Sequence, residues 1–285
     1  MKRYLGAHFR LTCAIAATVA AAGVCQAQEP TLDVVLERLG AYISGYETKV
    51  VELAAEEQYE QWIKRRTGYG GAVVARRKLT SMFLFARLPT GQAWFGLRDV
   101  SRVDGKAVSG RDRSVEQLLE EGTLDSIEEA LRVIHGNAKY NIGSVYRTIN
   151  LPLQALELLH AEHRRRFEFT SAGRTRIAGS RVWQIAYAER VRPSLINDGF
   201  GGDRMANGHV WVDPATGAVF RTEVLIGKEN AIRVEYRRND RFQMLLPSTM
   251  EETYGLEIEV VHGRASYSDY RRFQTSSRLI TNETD

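Results

Sequence analysis

The chain has 285 residues, with 39 Lys and Arg against 35 Asp and Glu and a formal charge of +4. Lys2, Arg3 and Arg10 are among those cations and no acid precedes residue 28, so the pI of about 9.1 partly reflects the start of the chain and gives no warrant for nucleic-acid binding. Cys13 and Cys25 are the only cysteines and lie in the same stretch, which leaves residues 28–285 with neither a disulfide nor a thiolate metal ligand.

The basic start is followed by "LTCAIAATVAAAGV", an apolar run short for a bilayer span, and by "CQA" with small residues at Cys25 and Ala27. Residues 1–27 therefore read as a cleaved signal peptide, and 28–285 as a single periplasmic or secreted domain without an integral membrane segment. The alternative, a lipidated Cys25, conflicts with the branched Val24 before it.

Leu32, Val35, Leu36, Leu39, Ile43 and Tyr46 recur at helical spacing and predict a helix over 31–50. The period then shortens. "LAAEEQYEQWI" and "RRKLTSMFLFARL" read as strands, and in the second Met82 and Leu84 oppose Phe83 and Phe85, so both faces must be covered. "QAWFGLRDVSRV" follows and ends in the turn at Asp104 and Gly105. Helices are expected over 114–135, with capping pairs Ser114–Gln117 and Asp125–Glu128, and over 151–162, making a helical insertion at about 112–163. "YNIGSVYRTIN" joins them as a buried connection in which Asn141, Arg147 and Asn150 satisfy backbone groups, so Arg147→Ala should cost roughly 1–3 kcal/mol of stability. From residue 165 onward short strands alternate with turns, the pattern of an antiparallel meander. The Gly-rich stretch 197–208 is the one long irregular loop there.

Few residues point to chemistry. In "WVDPATGAVFRTEV", Asp213, Pro214 and Gly217 are what a tight hairpin requires, so Asp213 reads as a turn residue. His160 and His163 lack a third ligand and are followed by "RRR", so no metal or other cofactor is expected. Motifs for a serine nucleophile, a phosphate loop or a zinc hydrolase are absent, and no catalytic residue is assigned. The basic runs read as solvated faces and cross-strand pairs. The aromatic residues of the strands, Phe83, Phe85, Trp94, Phe95, Trp183, Tyr187, Trp211 and Phe220, fill either an ordinary core or a ligand cavity.

The order helix, strands, helices, long meander resembles the periplasmic lipoprotein-carrier (LolA/LolB-like) proteins, and "VDPATGAVFRTEV" is similar to their mid-sheet hairpin. "GLRDVSRVDGK", "NAKYNIGSVYRTINLP" and "GRASYSDYRRFQ" resemble a group of uncharacterised exported bacterial proteins. The resemblance implies an α+β fold: a strongly curved antiparallel half-barrel of roughly eleven strands with helices packed on its concave side. It also implies non-catalytic binding of an amphipathic ligand (an acyl chain, lipid or lipidated peptide) between sheet and helices; the 31–50 helix and the glycine-rich 197–208 loop, which can move where strands cannot, are the expected lid of such a cavity. The alternative is a ligand-free module of the same fold that binds an envelope protein or senses envelope stress.

Overall fold

The computed structural model describes residues 29–66, 71–87, 94–110, 112–144, 147, 150–197 and 202–273, the side chains of Arg87, Trp94 and Phe95 excepted. Helix α1 (Leu32–Val50) starts at Thr31, whose hydroxyl accepts the Val34 N–H, and buries the expected stripe from Val35 to Val50. Strands β1 (Leu53–Arg65), β2 (Val73–Arg87) and β3 (Trp94–Val103) follow, with β4 (Lys106–Ala107) as a stub on the edge of β3. After the helical segment come β5 (Phe167–Ile177), β6 (Ser180–Glu189), β7 (Ala206–Val212), β8 (Val219–Ile226), β9 (Asn230–Asn239), β10 (Met244–Gly255) and β11 (Glu259–Arg272).

All of them join one antiparallel sheet of 11 strands in the order β4-β3-β2-β1-β11-β10-β9-β8-β7-β6-β5. The last strand returns to pair with the first helix's neighbour, β1, so the sheet curls around α1 as the expected half-barrel. Alternation along the strands sorts the side chains. On the concave side Ala55, Tyr59, Phe83, Phe85, Ile185, Val210, Val224 and Met250 pack against the α1 stripe. The convex side carries a row of alternating charge in register: Glu60, Arg264, Glu251, Arg233, Glu223 and His209 face one another across β1, β11, β10, β9, β8 and β7. Arg264–Glu251, Arg233–Glu223 and His209–Glu223 are at 2.7, 2.5 and 2.9 Å.

The helical segment departs from expectation in two places. The 114–135 stretch is two helices, as its two capping pairs imply, α2 (Val115–Glu121) and α3 (Leu124–Gly136), with Gly122 at a left-handed φ of 67° between them. Ser114 and Gln117 form the expected capping box, but α3 is capped by Thr123 rather than Asp125. The 151–162 stretch holds only a short α4 (Gln154–Leu158) before His160, with extended backbone, passes the chain to a 3-10 turn.

Nor do all helices share the concave side. Leu84, Ala86 and Leu97, on the face opposite Phe83 and Phe85, pack with Val115, Leu118, Leu119 and Ala130, so α2 and α3 cover the convex face of β2 and β3. The chain then rounds the edge of β3, where the Asn137 side-chain amide donates to the Arg98 carbonyl at 2.8 Å. The strap from 137 to 153 re-enters the concave side beside α4. That is why β2 is apolar on both faces. Among the described residues no helix is long and apolar enough to cross a membrane.

Candidate functional site

The strap crosses a part of the concave face that is polar. Glu57, Tyr59 and Gln61 alternate inward on β1, Glu252 and Tyr254 on β10. Arg147 reaches down from the strap into them. Its Nη1 donates to Tyr59 Oη and to Glu252 Oε1, both at 2.8 Å, and its Nη2 to Gln61 Oε1 at 2.5 Å and to the Ile142 carbonyl at 2.8 Å. Tyr59 in turn donates to Glu252, and Tyr254 donates to the other Glu252 oxygen at 3.0 Å. Gly263 stands beside Glu252 on β11, and a Cβ there would collide with the Glu252 carboxylate.

Next to this cluster Arg98 forms a bidentate pair with Glu57 at 2.5 and 2.8 Å, and its guanidinium lies 4.6 Å from the centre of the Tyr59 ring. Burial pushes the Tyr59 phenol well above its ordinary range, and the adjacent Glu252 carboxylate pushes it further. The Arg147 and Glu252 side chains are both 0% exposed, so solvent and ligand are shut out of this cluster. It ties the strap to the sheet, but not as expected from "YNIGSVYRTIN": Arg147 pairs chiefly with sheet side chains, and the one backbone group it satisfies, the Ile142 carbonyl, belongs to the same segment.

The concave side opens to solvent at one end. There the β5–β6, β7–β8 and β9–β10 turns converge on the C-terminal half of α1 and leave a groove of about 830 Å³. Tyr42 and Tyr46 on α1, Phe220 on β8, Tyr236 on β9 and Met244 and Leu245 on β10 supply its apolar walls. The two α1 tyrosines sit ring to ring at 5.7 Å. Burial holds the Tyr42 phenol far above its ordinary range, against the opposing pull of a hydrogen bond to the Val219 backbone.

The groove is charged on one sign. Lys49, Arg237 and Arg238 line it, against a single acid, Asp213. Asp213 is committed to its turn: Oδ1 accepts the N–H groups of Ala215 at 2.7 Å and Thr216 at 3.2 Å, and Gly217 turns the chain with φ 74°. Gly217 also lies against the Arg38 backbone, and Arg38 donates to the Pro214 carbonyl at 2.6 Å, which docks the hairpin on α1.

The aromatic residues singled out in the sequence separate into three groups. Phe83, Phe85, Trp183 and Tyr187 lie on the concave side but inside the packed core, where Phe83 and Phe85 meet edge to face at 5.0 Å. Phe220 lines the groove. Trp211 does not face the concave side: it alternates with Val210 and Val212, and lies on the convex face under Arg221, 5.1 Å from its ring centre, and beside His209. The side chains of Trp94 and Phe95 lie outside the described residues.

The described residues of the 197–208 stretch, 197 and 202–208, do not border this groove. Arg204 lies with Ile226, Lys228 and Gly255 at the opposite end of the strands, and the buried Glu189 carboxylate accepts the Leu195 and Ala206 N–H groups at 2.9 and 3.2 Å. Of the expected lid, α1 alone among the described residues borders the groove. Lys49, Tyr42, Tyr236 and Arg238 escaped sequence reasoning as a set, because nothing in a linear pattern places a helix end beside the β9–β10 turn. Among the described residues no three His, Cys, Asp or Glu side chains come together to hold a metal ion.

No protein-family model matches the chain, and no curated protein does. Among solved structures, the chain is similar to a domain from Vibrio parahaemolyticus described as an outer membrane lipoprotein-sorting protein (13% identity, 85% of this chain and 94% of that one, TM-score 0.39). It is also similar to a DUF1329 family protein from Desulfovibrio piger (11% identity, 84% and 92%, TM-score 0.42). A LolA superfamily protein from Nitrosomonas europaea aligns at 8% identity over 85% and 97%, with a TM-score of 0.32.

Proposed function

We propose that the protein is a non-catalytic envelope protein, periplasmic or secreted after cleavage near Ala27, that holds the acyl part of an amphipathic ligand in the groove between α1 and the β9–β10 turn. The single domain of residues 28–285 carries this site whole. The observation behind the reading is the groove itself: about 830 Å³, bordered on one side by the helix and on the other by the sheet, with Tyr42, Tyr46, Phe220 and Tyr236 on its walls. Clefts of roughly 300–1,000 Å³ suit small organic ligands. Each methylene moved from water onto such walls contributes about 0.8 kcal/mol, so a short length of chain suffices for useful binding.

The centre of the half-barrel is filled, with Phe83, Ile185 and Met250 at 0% exposure, so the ligand lies at the mouth and not along the barrel axis. An environment-sensitive acyl probe tests the reading. Its emission should rise on mixing with the protein and fall when unlabelled fatty acid is added, and Ala41→Trp should weaken the binding. A probe that never binds would overturn it.

The filled interior favours a second reading, a protein-interaction or stress-sensing module that takes no small ligand. The edge strand β5, exposed along most of its length, is then the surface to probe. On that reading the acyl probe stays in solution.

A further inference from the structure

We infer that the groove selects an anionic headgroup, carboxylate or phosphate, through Lys49 and Arg238, so that the ligand is an acidic amphipath and not a neutral or cationic one; the inference rests on the groove being the binding site. Three observations carry it. The walls divide into two regions: Tyr42, Tyr46, Phe220 and Met244 offer ring and thioether surface, while Lys49 in the last turn of α1 and Arg238 near the end of β9 offer charge. An amphipath with its chain on the first and its head on the second matches both at once.

The second observation is that these cations have kept their charge. Arginine elsewhere is largely neutralised by carboxylates, as in Arg98–Glu57, Arg147–Glu252, Arg221–Glu235 and Arg271–Glu116. Among the described residues Lys49, Arg237 and Arg238 form no ion pair with an acid. Arg238 donates to the neutral amide oxygen of Gln243 at 2.5 Å, which holds the guanidinium in place without cancelling its charge. By strand alternation Arg238 shares the face of Tyr236, the face turned towards α1.

Third, Asp213, the one acid among the described residues of the lining, keeps its charge but is fixed in its own turn by two backbone N–H groups, pairs with none of the cations and is outnumbered by them. The field at the groove is therefore positive, and the helix end contributes only a partial negative charge beside Lys49.

Isothermal titration calorimetry with four soluble ligands of one chain type tests this on the purified full-length protein: myristate, tetradecyl phosphate, tetradecanol and tetradecyltrimethylammonium, with inorganic phosphate as a fifth arm. Myristate and tetradecyl phosphate should bind about tenfold more tightly than tetradecanol, the cationic ligand more weakly still, and inorganic phosphate alone not measurably. Lys49→Gln with Arg238→Gln should bring the affinity for myristate down to that for tetradecanol, whereas Lys49→Arg should keep the preference.

Equal binding of anion and alcohol, or a preference that survives the double substitution, overturns the headgroup inference while leaving the groove intact. Tight binding of inorganic phosphate would also overturn it, by making the site one for a free anion. If no chain-bearing ligand binds at all, the groove reading fails and the inference with it.

Discussion

Arg147 and Glu252 meet inside the half-barrel at 2.8 Å, Nη1 to Oε1, with both side chains wholly excluded from solvent. The pair joins the strap on the concave face to a central strand. Removing one member leaves an uncompensated buried charge, so Arg147→Ala should cost about 3–5 kcal/mol, more than the sequence alone implied. Urea unfolding measures it. A loss below about 1 kcal/mol would mean that the strap is held by something else.

Gly263 gives that pair its room. A methyl group on Gly263 would meet the Glu252 carboxylate, so Gly263→Ala should destabilise the protein by about 1–3 kcal/mol. Combined with Glu252→Gln the two losses should not add, since both act on one cluster. Additive losses in a double-mutant cycle would separate Gly263 from Glu252.

The charged row on the convex face predicts a pH response. Glu223 is partly desolvated, which by itself raises its pKa, but hydrogen bonds from Arg233 and His209 outweigh burial and hold the carboxyl below its ordinary value. A depressed folded-state pKa stabilises the protein above the unfolded-state value, and that stability is lost as pH falls through the folded one. Melting temperature should therefore decline below about pH 4.3, and Glu223→Gln should flatten part of that decline. An identical pH profile in the variant would remove Glu223 as a contributor.

Much of this architecture was legible in the sequence. The α1 stripe, the turn chemistry of Asp213 to Gly217, the Ser114 capping box and the two apolar faces of β2 each follow from local spacing and appear as expected. What was not legible depends on contacts between distant segments. "EEQYEQ" in β1 reads as alternating polar residues, yet Glu57 and Gln61 are its inward face, because Arg98 and Arg147 arrive from other segments to pair with them. Trp211 looked like any other strand aromatic, and only the register of β7 against β6 turns it to the convex side, opposite Gln184. The groove is built from a helix end and three turns far apart in sequence, so its aromatic and cationic residues share no pattern along the chain.

Ala41 borders both the main groove and a smaller one beside Leu36 and Leu159, and its side chain is exposed. Ala41→Trp should fill space that an acyl chain would use and lower affinity for myristate by about tenfold or more. Melting temperature should stay within a degree or two, because surface changes away from caps and buried groups cost about 0.5 kcal/mol or less. Unchanged affinity in a stable variant would place the ligand elsewhere.

The central claim is that the groove at the open end of the half-barrel holds an acyl chain, and native mass spectrometry tests it most directly. The protein purified from an envelope fraction, and again after incubation with myristate, should carry one acyl-containing adduct per chain, and Ala41→Trp should lose it. A bare protein mass under both conditions, or an adduct undiminished in the variant, would contradict the account.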